Sequence, residues 1–307
     1  MAGQKRKQAA EDAGLVRLEI GSGGRLMREF LDGTVLPLLK SRFLSGLPDA
    51  ARLEGDIVFT TDGYVVDPLF FPGGDIGTLC VNGTVNDLVV SGAVPRALSL
   101  SVILEEGLPL ADVRRVLRSV QRAAGKAKIA VATGDTKVVR RGQCDKMFIT
   151  TAGVGRAVGR PDLGRVRSGD AVILTGPPGD HSLAVLAARG EYGLESAVRS
   201  DCAPLTFLLP LWKQGVRWMR DVTRGGLATI LSEMAEDLPY PIRVEEKRIP
   251  LSRPVRAAAE ILGIDPLYMA CEGRAVILAP RAAASRILAH IRRFGPGRRA
   301  AVIGEVG

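Results

Sequence analysis

The sequence predicts an α+β protein of two domains, and three observations carry that expectation. At 307 residues the chain is about twice the length of a typical domain. Segments with strand and helix patterning mix in both halves without a strict βα alternation, which argues against a doubly wound sheet. A polar, glycine-rich stretch from Gly155 to Gly169 divides the halves. The domains are placed at 18–160 and 161–307, after a disordered tail over 1–17.

Each element has a local reason. Met1 to Gly14 is polar, and Lys5-Arg6-Lys7 is followed by no apolar stretch, so no secretory signal is read and a cytoplasmic protein is expected. Gly21-Ser22-Gly23-Gly24 precedes a helical pattern of Leu26, Phe30, Leu31, Val35 and Leu38, ending around Lys40. Strands are expected at Asp56 to Thr60 and Tyr64 to Val66 around a turn. Asp75 to Ser91 reads as a helix with Asp75 as N-cap. A strand (Ala97 to Leu104), a helix (Leu110 to Ala124) and strands at Ile129 to Val139 and Lys146 to Val154 complete the first half. The second half opens with a buried strand, Ala171 to Thr175. Helices follow near Ser182 to Ala188, Leu205 to Arg217 and Leu227 to Ala235. A strand (Ile242 to Glu245), a helix (Pro254 to Leu262), a strand (Ala275 to Leu278), a helix (Ala282 to Arg293) and a strand (Ala301 to Val306) finish the chain.

Composition excludes several classes of function. Apolar residues are 46% of the chain, yet no run approaches the ~18 residues of a membrane span, so no membrane is expected. Cys80, Cys144, Cys202 and Cys271 form no CxxC pair, which speaks against zinc and iron–sulfur sites and fits a reducing compartment. His181 and His290 make no HExxH site. The net charge of +9 is spread along helices and only 5% of residues are aromatic, so an anionic substrate is expected and no nucleic acid. There is no GxxxxGK[ST] and no GxSxG. Gly153-Val154-Gly155 reaches Gly159 one residue too late for GxGxxG.

What remains is a set of aspartates beside glycines and threonines. Thr60-Thr61-Asp62-Gly63 ends a strand, Asn86-Asp87 lies inside a helix, and Gly134-Asp135-Thr136-Lys137 interrupts a strand. Arg220-Asp221-Val222-Thr223-Arg224-Gly225-Gly226 opens a helix. Asp87 shares a helix side with Cys80, Gly83 and Thr84, where a half-buried carboxylate is costly unless paired or holding a cation. A salt-bridged core aspartate is the competing reading. Mg²⁺ favours a few carboxylates plus phosphate oxygens and water, so separated aspartates suit a metal–triphosphate site. Gly21, Gly23 and Gly24, like Gly225 and Gly226, lead into helices whose first N–H groups favour an anion, though plain turns would look alike. Lys137 and Arg224 can add positive charge at a transferring phosphoryl group.

The run from Thr60 to Ala93, TTDGYVVDPLFFPGGDIGTLCVNGTVNDLVVSGA, closely resembles the HypE family of hydrogenase maturation proteins, which make cyanide ligands of nickel–iron hydrogenases. GDTKVV, FITTAGVG, GDHS, RDVTRGGLA and DPLYMACEGR follow in the family's order, and the likeness covers roughly Leu18 to Gly307. PLFFPGGDIG discriminates best, because TTD, NDL and GDT recur in aminoimidazole ribonucleotide synthetase, selenophosphate synthetase and thiamine monophosphate kinase. The resemblance implies the two-domain fold of aminoimidazole ribonucleotide synthetase. It further implies a homodimer through the N-terminal sheet, a C-terminal α/β domain and an ATP cleft between the domains. In the family a partner carbamoylates a C-terminal cysteine, ATP phosphorylates the carbamoyl oxygen, and loss of phosphate leaves a thiocyanate. The carbamoyltransferase HypF and the iron-carrying HypC and HypD complex are the implied partners. By position, Asp62, Asp87 and Asp135 would hold Mg²⁺, while Asp221, Asn86, Thr136 and the glycine loops would bind ATP. Lys137, Arg224 and Glu272 would be catalytic, Glu272 taking the nitrogen proton.

Departures accompany the likeness. The family's tail ending Pro-Arg-Ile-Cys has no counterpart here, so a chain lacking its carrier cysteine is expected. Cys271 sits inside DPLYMACEGR and cannot replace it. Ile20 stands for a histidine, Gly63 for a serine and Val222 for a proline. Two other readings keep the same residues: an ATP-dependent enzyme acting on a free small molecule, and a non-catalytic nucleotide-binding maturation subunit.

Overall fold

The computed structural model describes residues 15–190 and 197–307. Most of the expected tail therefore lies outside the described residues. The chain divides into two compact units, one ending at Leu44 and one spanning Ser45–Gly307.

In the first unit a tight turn, Leu18–Ser22, leads to helix α1 (Gly24–Phe30), a wide turn over Leu31–Val35 and helix α2 (Leu36–Leu39). Lys40 ends it in the left-handed conformation at φ 49°, which matches the expected end of this helical segment.

The second unit holds two five-stranded sheets. The first has strands β1 (Ala51–Arg52), β2 (Ile57–Tyr64), β5 (Ala93–Glu105), β6 (Ala130–Val139) and β7 (Met147–Ala157), in the order β1-β2-β7-β5-β6. Between β2 and β5 lie the hairpin of β3 (Phe70–Phe71) and β4 (Gly74–Asp75) and helix α3 (Ile76–Val90). Helix α4 (Leu110–Ala127) joins β5 to β6, which pair in parallel; the other pairings are antiparallel. The Asp75 side chain caps α3 by accepting from the Thr78 N–H at 2.8 Å. Buried residues run almost all round α3, as in a helix enclosed by other elements rather than laid on a surface.

The second sheet has β8 (Ala171–Leu174), β9 (Trp218–Asp221), β10 (Ile242–Val244), β11 (Ala275–Ala279) and β12 (Ala301–Val306), ordered β10-β12-β8-β11-β9. Helices α5 (Asp180–Ala188), α6 (Gly226–Asp237), α7 (Arg253–Leu262) and α8 (Arg281–Ile291) accompany it. Ile173 and Ile277 point into the core shared with α3 and α8, while Val172, Leu174, Val276 and Leu278 point into the core built with α6. Because both faces are covered, these strands read as unbroken apolar runs rather than alternations.

The departures from expectation have local causes. Residues 205–217 form no α-helix: Pro210 lies inside a stretch of tighter turns, Thr206–Gln214, and Gly215 at φ 92° ends it. Strand β9 is only four residues long, too short for an alternation to register. Gly134 to Lys137 do not interrupt a strand. They continue β6, and Gly134 is there because a Cβ would come within 2.5 Å of the Leu100 carbonyl oxygen on β5. Gly155 belongs to β7 rather than to a junction.

Candidate active site

Strand β2 places alternate residues on one face, and Val58, Thr60, Asp62 and Tyr64 turn toward α3. The Thr60 hydroxyl lies 2.8 Å from Asp87 Oδ2 on α3 and 2.8 Å from the Asp49 carbonyl oxygen. Tyr64 donates its hydroxyl to Asp62 Oδ2 at 3.0 Å. From the second sheet comes Asp221, at the end of β9, and from the approach to its neighbour β11 comes Glu272. One cluster thus draws Asp49, Asp62 and Asp87 from one side and Asp221 and Glu272 from the other.

Electrostatics shows how closely they gather. Asp87 is held well above the usual carboxylate range, first by burial and then by Asp221, Asp62 and Asp49. Asp221 is pushed up to about 8, by burial and then by Asp49. Glu272 is likewise raised well, by burial and then by Asp201, Asp221 and Asp62, with Arg224 opposing. Arg220 pairs with Asp49 at 3.1 Å but is shared with Glu233 at 2.6 Å, so it cannot neutralise the whole cluster. Desolvated carboxylates in excess of their cations are costly unless protonated or joined by a cation.

This donor set fits Mg²⁺ in one specific way. Among the described residues no three His, Cys, Asp or Glu side chains form a closed metal cage. Mg²⁺ does not require one, since water and phosphate oxygens complete its octahedron. Asp62 and Asp87, half-buried and set against each other across β2 and α3, are the natural anchors.

Asp135 does not join them within one copy of the chain. It lies on β6 opposite Ser101, and β5 and β7 intervene before β2. At about 4.8 Å per strand the separation is roughly 14 Å. Asp135 pairs with Lys137 at 3.5 Å, and Thr136 donates its N–H to Asp135 Oδ1 at 2.9 Å; all three are exposed, along with nearly the whole of β6. Within one copy, Asp62 and Asp87 therefore come together with Asp221, and Asp135 stands apart on β6.

Asn86 also changes role. Its Nδ2 donates to the carbonyls of Ala203 at 3.1 Å and Glu272 at 3.2 Å, and its Oδ1 accepts from the Leu205 N–H at 2.8 Å. Its amide is fully spent on backbone, so it fixes the Glu272 loop and has nothing left for a phosphate. Gly225 and Gly226 do form a turn, at φ 75° and 66°, into the uncapped start of α6. At Gly226 a Cβ would strike the Leu267 carbonyl oxygen, so the turn presses directly on the neighbouring backbone. Gly21, Gly23 and Gly24 belong to the first unit, and the geometry of this cluster does not place them.

Sequence reasoning passed over Asp49, Tyr64, Arg220 and Glu233. Tyr64 was accessible through strand alternation from Thr60 and Asp62. Asp49 was not: it sits in a loop and enters the cluster through Thr60 and Arg220, both distant from it in sequence or in the other sheet.

Comparison with known proteins identifies the family and the fold. Residues 48–157 match the family AIR synthase related protein, N-terminal domain, and residues 167–307 match its C-terminal domain. A carbamoyl dehydratase HypE of Azotobacter vinelandii is 43% identical over 303 residues, covering 95% of this chain and 88% of the relative. A solved HypE–HypF complex superimposes with a TM-score of 0.86 at 37% identity, covering 91% of this chain and 93% of the other. A HypE structure in complex with ATP gives a TM-score of 0.79 at 43% identity, covering 95% and 89%.

Proposed function

We propose a function from one premise: this chain belongs to the HypE family of carbamoyl dehydratases, built from the two AIR synthase related domains. The protein is an ATP-dependent carbamoyl dehydratase of hydrogenase maturation. It converts an S-carbamoyl group to a thiocyanate, the source of a cyanide ligand. The observation that carries this reading is the carboxylate cluster of Asp62, Asp87, Asp221 and Glu272, drawn from both sheets and short of cations.

The chemistry balances without an external oxidant. ATP transfers its γ-phosphoryl group to the carbamoyl oxygen, turning a poor leaving group into phosphate. The C–O bond then breaks, the nitrogen gives up its two protons, and S–C≡N remains with ADP and phosphate. Mg²⁺ held by Asp62 and Asp87 would supply charge neutralisation at the phosphates. Glu272 would take a nitrogen proton, and its burial supports that role because a desolvated carboxylate is a stronger base than usual. Asn86 holds the loop that carries it. Arg224 and the Gly225-Gly226 turn are suited to phosphate oxygens. Cys271, fully buried with its thiol pushed well up by burial, is not the carrier of the carbamoyl group.

The reading extends to assembly. Exposed β6 would pair with its counterpart in a second copy, bringing Asp135, Thr136 and Lys137 of one copy to the cluster of the other. In this arrangement the first sheet would bind ATP and dimerise, and 161–307 would complete the cleft. The solved HypE–HypF complex supports a carbamoyltransferase partner. An iron-carrying HypC and HypD complex and a cytoplasmic setting follow from the same family. No described helix is long and apolar enough to cross a membrane.

The test is direct. The purified protein, supplied with Mg²⁺, ATP and an S-carbamoyl-cysteine peptide, should release phosphate and convert the peptide to a thiocyanate with a nitrile absorption. Phosphate release without nitrile formation, or no ATP binding by calorimetry, overturns the assignment.

A further inference from the structure

Tyr64 belongs to a buried line of hydroxyl groups that ends on Asp62. Its own hydroxyl lies 3.0 Å from Asp62 Oδ2 and 3.2 Å from Thr84 Oγ1 on α3. The Thr84 hydroxyl meets that of Thr151 on β7, and Thr151 Oγ1 lies 3.4 Å from the Cys80 carbonyl oxygen. Tyr64 is 9% exposed, and Thr84 and Thr151 are wholly buried, so water does not supply missing partners. At Gly83 a Cβ would collide with the Tyr64 hydroxyl, so α3 carries a notch that seats the end of the ring.

Counting hydrogens gives the line its character. Tyr64, Thr84 and Thr151 each own one hydroxyl hydrogen. Between Asp62 and the Cys80 carbonyl there are more gaps to bridge than hydrogens, so one gap is always empty. An empty gap at Cys80 is cheap, because a mid-helix carbonyl already accepts from the N–H four residues on. An empty gap at Asp62 removes a donor from a carboxylate that its neighbours already repel. The preferred arrangement therefore sends every hydrogen toward Asp62.

We propose that Tyr64 is a positioning residue for the Asp62 carboxylate, occupying Oδ2 so that the other oxygen is presented to the divalent cation of the nucleotide complex. This rests on the reading that Asp62 holds that cation. Thr84 and Thr151 keep the Tyr64 hydrogen aimed, and the Gly83 notch keeps its ring from turning away.

The probe is Mn²⁺ with a non-hydrolysable ATP analogue, titrated by electron paramagnetic resonance, with melting temperature measured in parallel. Tyr64→Phe keeps the ring and should weaken Mn²⁺ affinity about tenfold, the usual range for removing an outer partner of a metal ligand. Thr84→Val leaves Tyr64 able to donate only to Asp62 and should keep affinity within about twofold. Both lose a buried hydrogen bond, so a purely structural role would move them together. A tenfold loss in Thr84→Val, or unchanged affinity in Tyr64→Phe while Asp62→Asn abolishes binding, overturns the positioning role and leaves the cation site standing. Unchanged affinity in Asp62→Asn removes Asp62 as a ligand, and the reading falls together with the inference.

Discussion

Asp87 and Asp135 sit in short strings of similar composition, Asn-Asp in a helix and Gly-Asp-Thr-Lys in a strand, and the fold treats them in opposite ways. Asp87 is wedged between β2 and α3, accepting from Thr60 at 2.8 Å, with Asp221, Asp62 and Asp49 raising the cost of its charge. Asp135 stands on an exposed edge strand with Lys137 3.5 Å away. The first residue is under electrostatic load before any ligand arrives; the second is relaxed in water. A site assembled from both kinds combines stored repulsion on one surface with easy approach from another.

The largest effect expected is on turnover. Asp87→Asn and Asp135→Ala should each lower kcat by about 100-fold or more, the scale for losing a charged group at a phosphoryl-transfer site. Because the two residues would act from different copies, mixing the variants should restore a fraction of wild-type activity by forming dimers with one intact site. Failure of the mixture to recover activity would break the proposed division of labour between copies.

A smaller effect is expected on stability against pH. In the metal-free protein Asp221 keeps its proton to about 8, whereas in the unfolded chain it is released near 3.8. Between those values the folded state binds the extra proton, so stability falls as pH rises through the window. A loss on the order of 4 kcal/mol between pH 5 and 9 is expected from urea melts. Asp221→Asn should flatten the slope. An unchanged slope would show that the cluster is not loaded as described.

The smallest effect is expected at the exposed edge. Asp135→Ala should alter unfolding free energy by less than about 0.5 kcal/mol, because exposed ion pairs contribute little. Asp87→Asn should stabilise the metal-free protein by about 1 kcal/mol while abolishing nucleotide binding. A destabilised Asp135→Ala, measured in the same melts, would erase the contrast between the regions.

The helix that carries Asp87 was legible from its Asp75 cap, which the structure shows accepting from the Thr78 N–H. Asp87 itself stood out as a carboxylate on the inner side of that helix. Strands β8 and β11 were legible as apolar runs, whereas β9 carries Arg220 and Asp221 in its four residues and forms no such run. The helix expected over 205–217 does not form because Pro210, which lacks an N–H, falls inside the segment. That Asp135 stays apart from Asp62 and Asp87 within one copy was not legible. Strand order is set by long-range pairing, and nothing near Asp135 reveals that β5 and β7 separate it from Asp62. Arg220 illustrates the same limit, since its partners Asp49 and Glu233 lie far from each other in sequence.

Asn86 occupies the position just before Asp87, so one turn of α3 sets a carboxylate against Thr60 with one residue and clamps the Glu272 loop with the previous one. On the proposed function, cation anchor and base would thereby be machined on a single shaft. If the two sheets swung apart like jaws, that clamp would have to tear first, so the spacing of Asp87 and Glu272 is held by one amide.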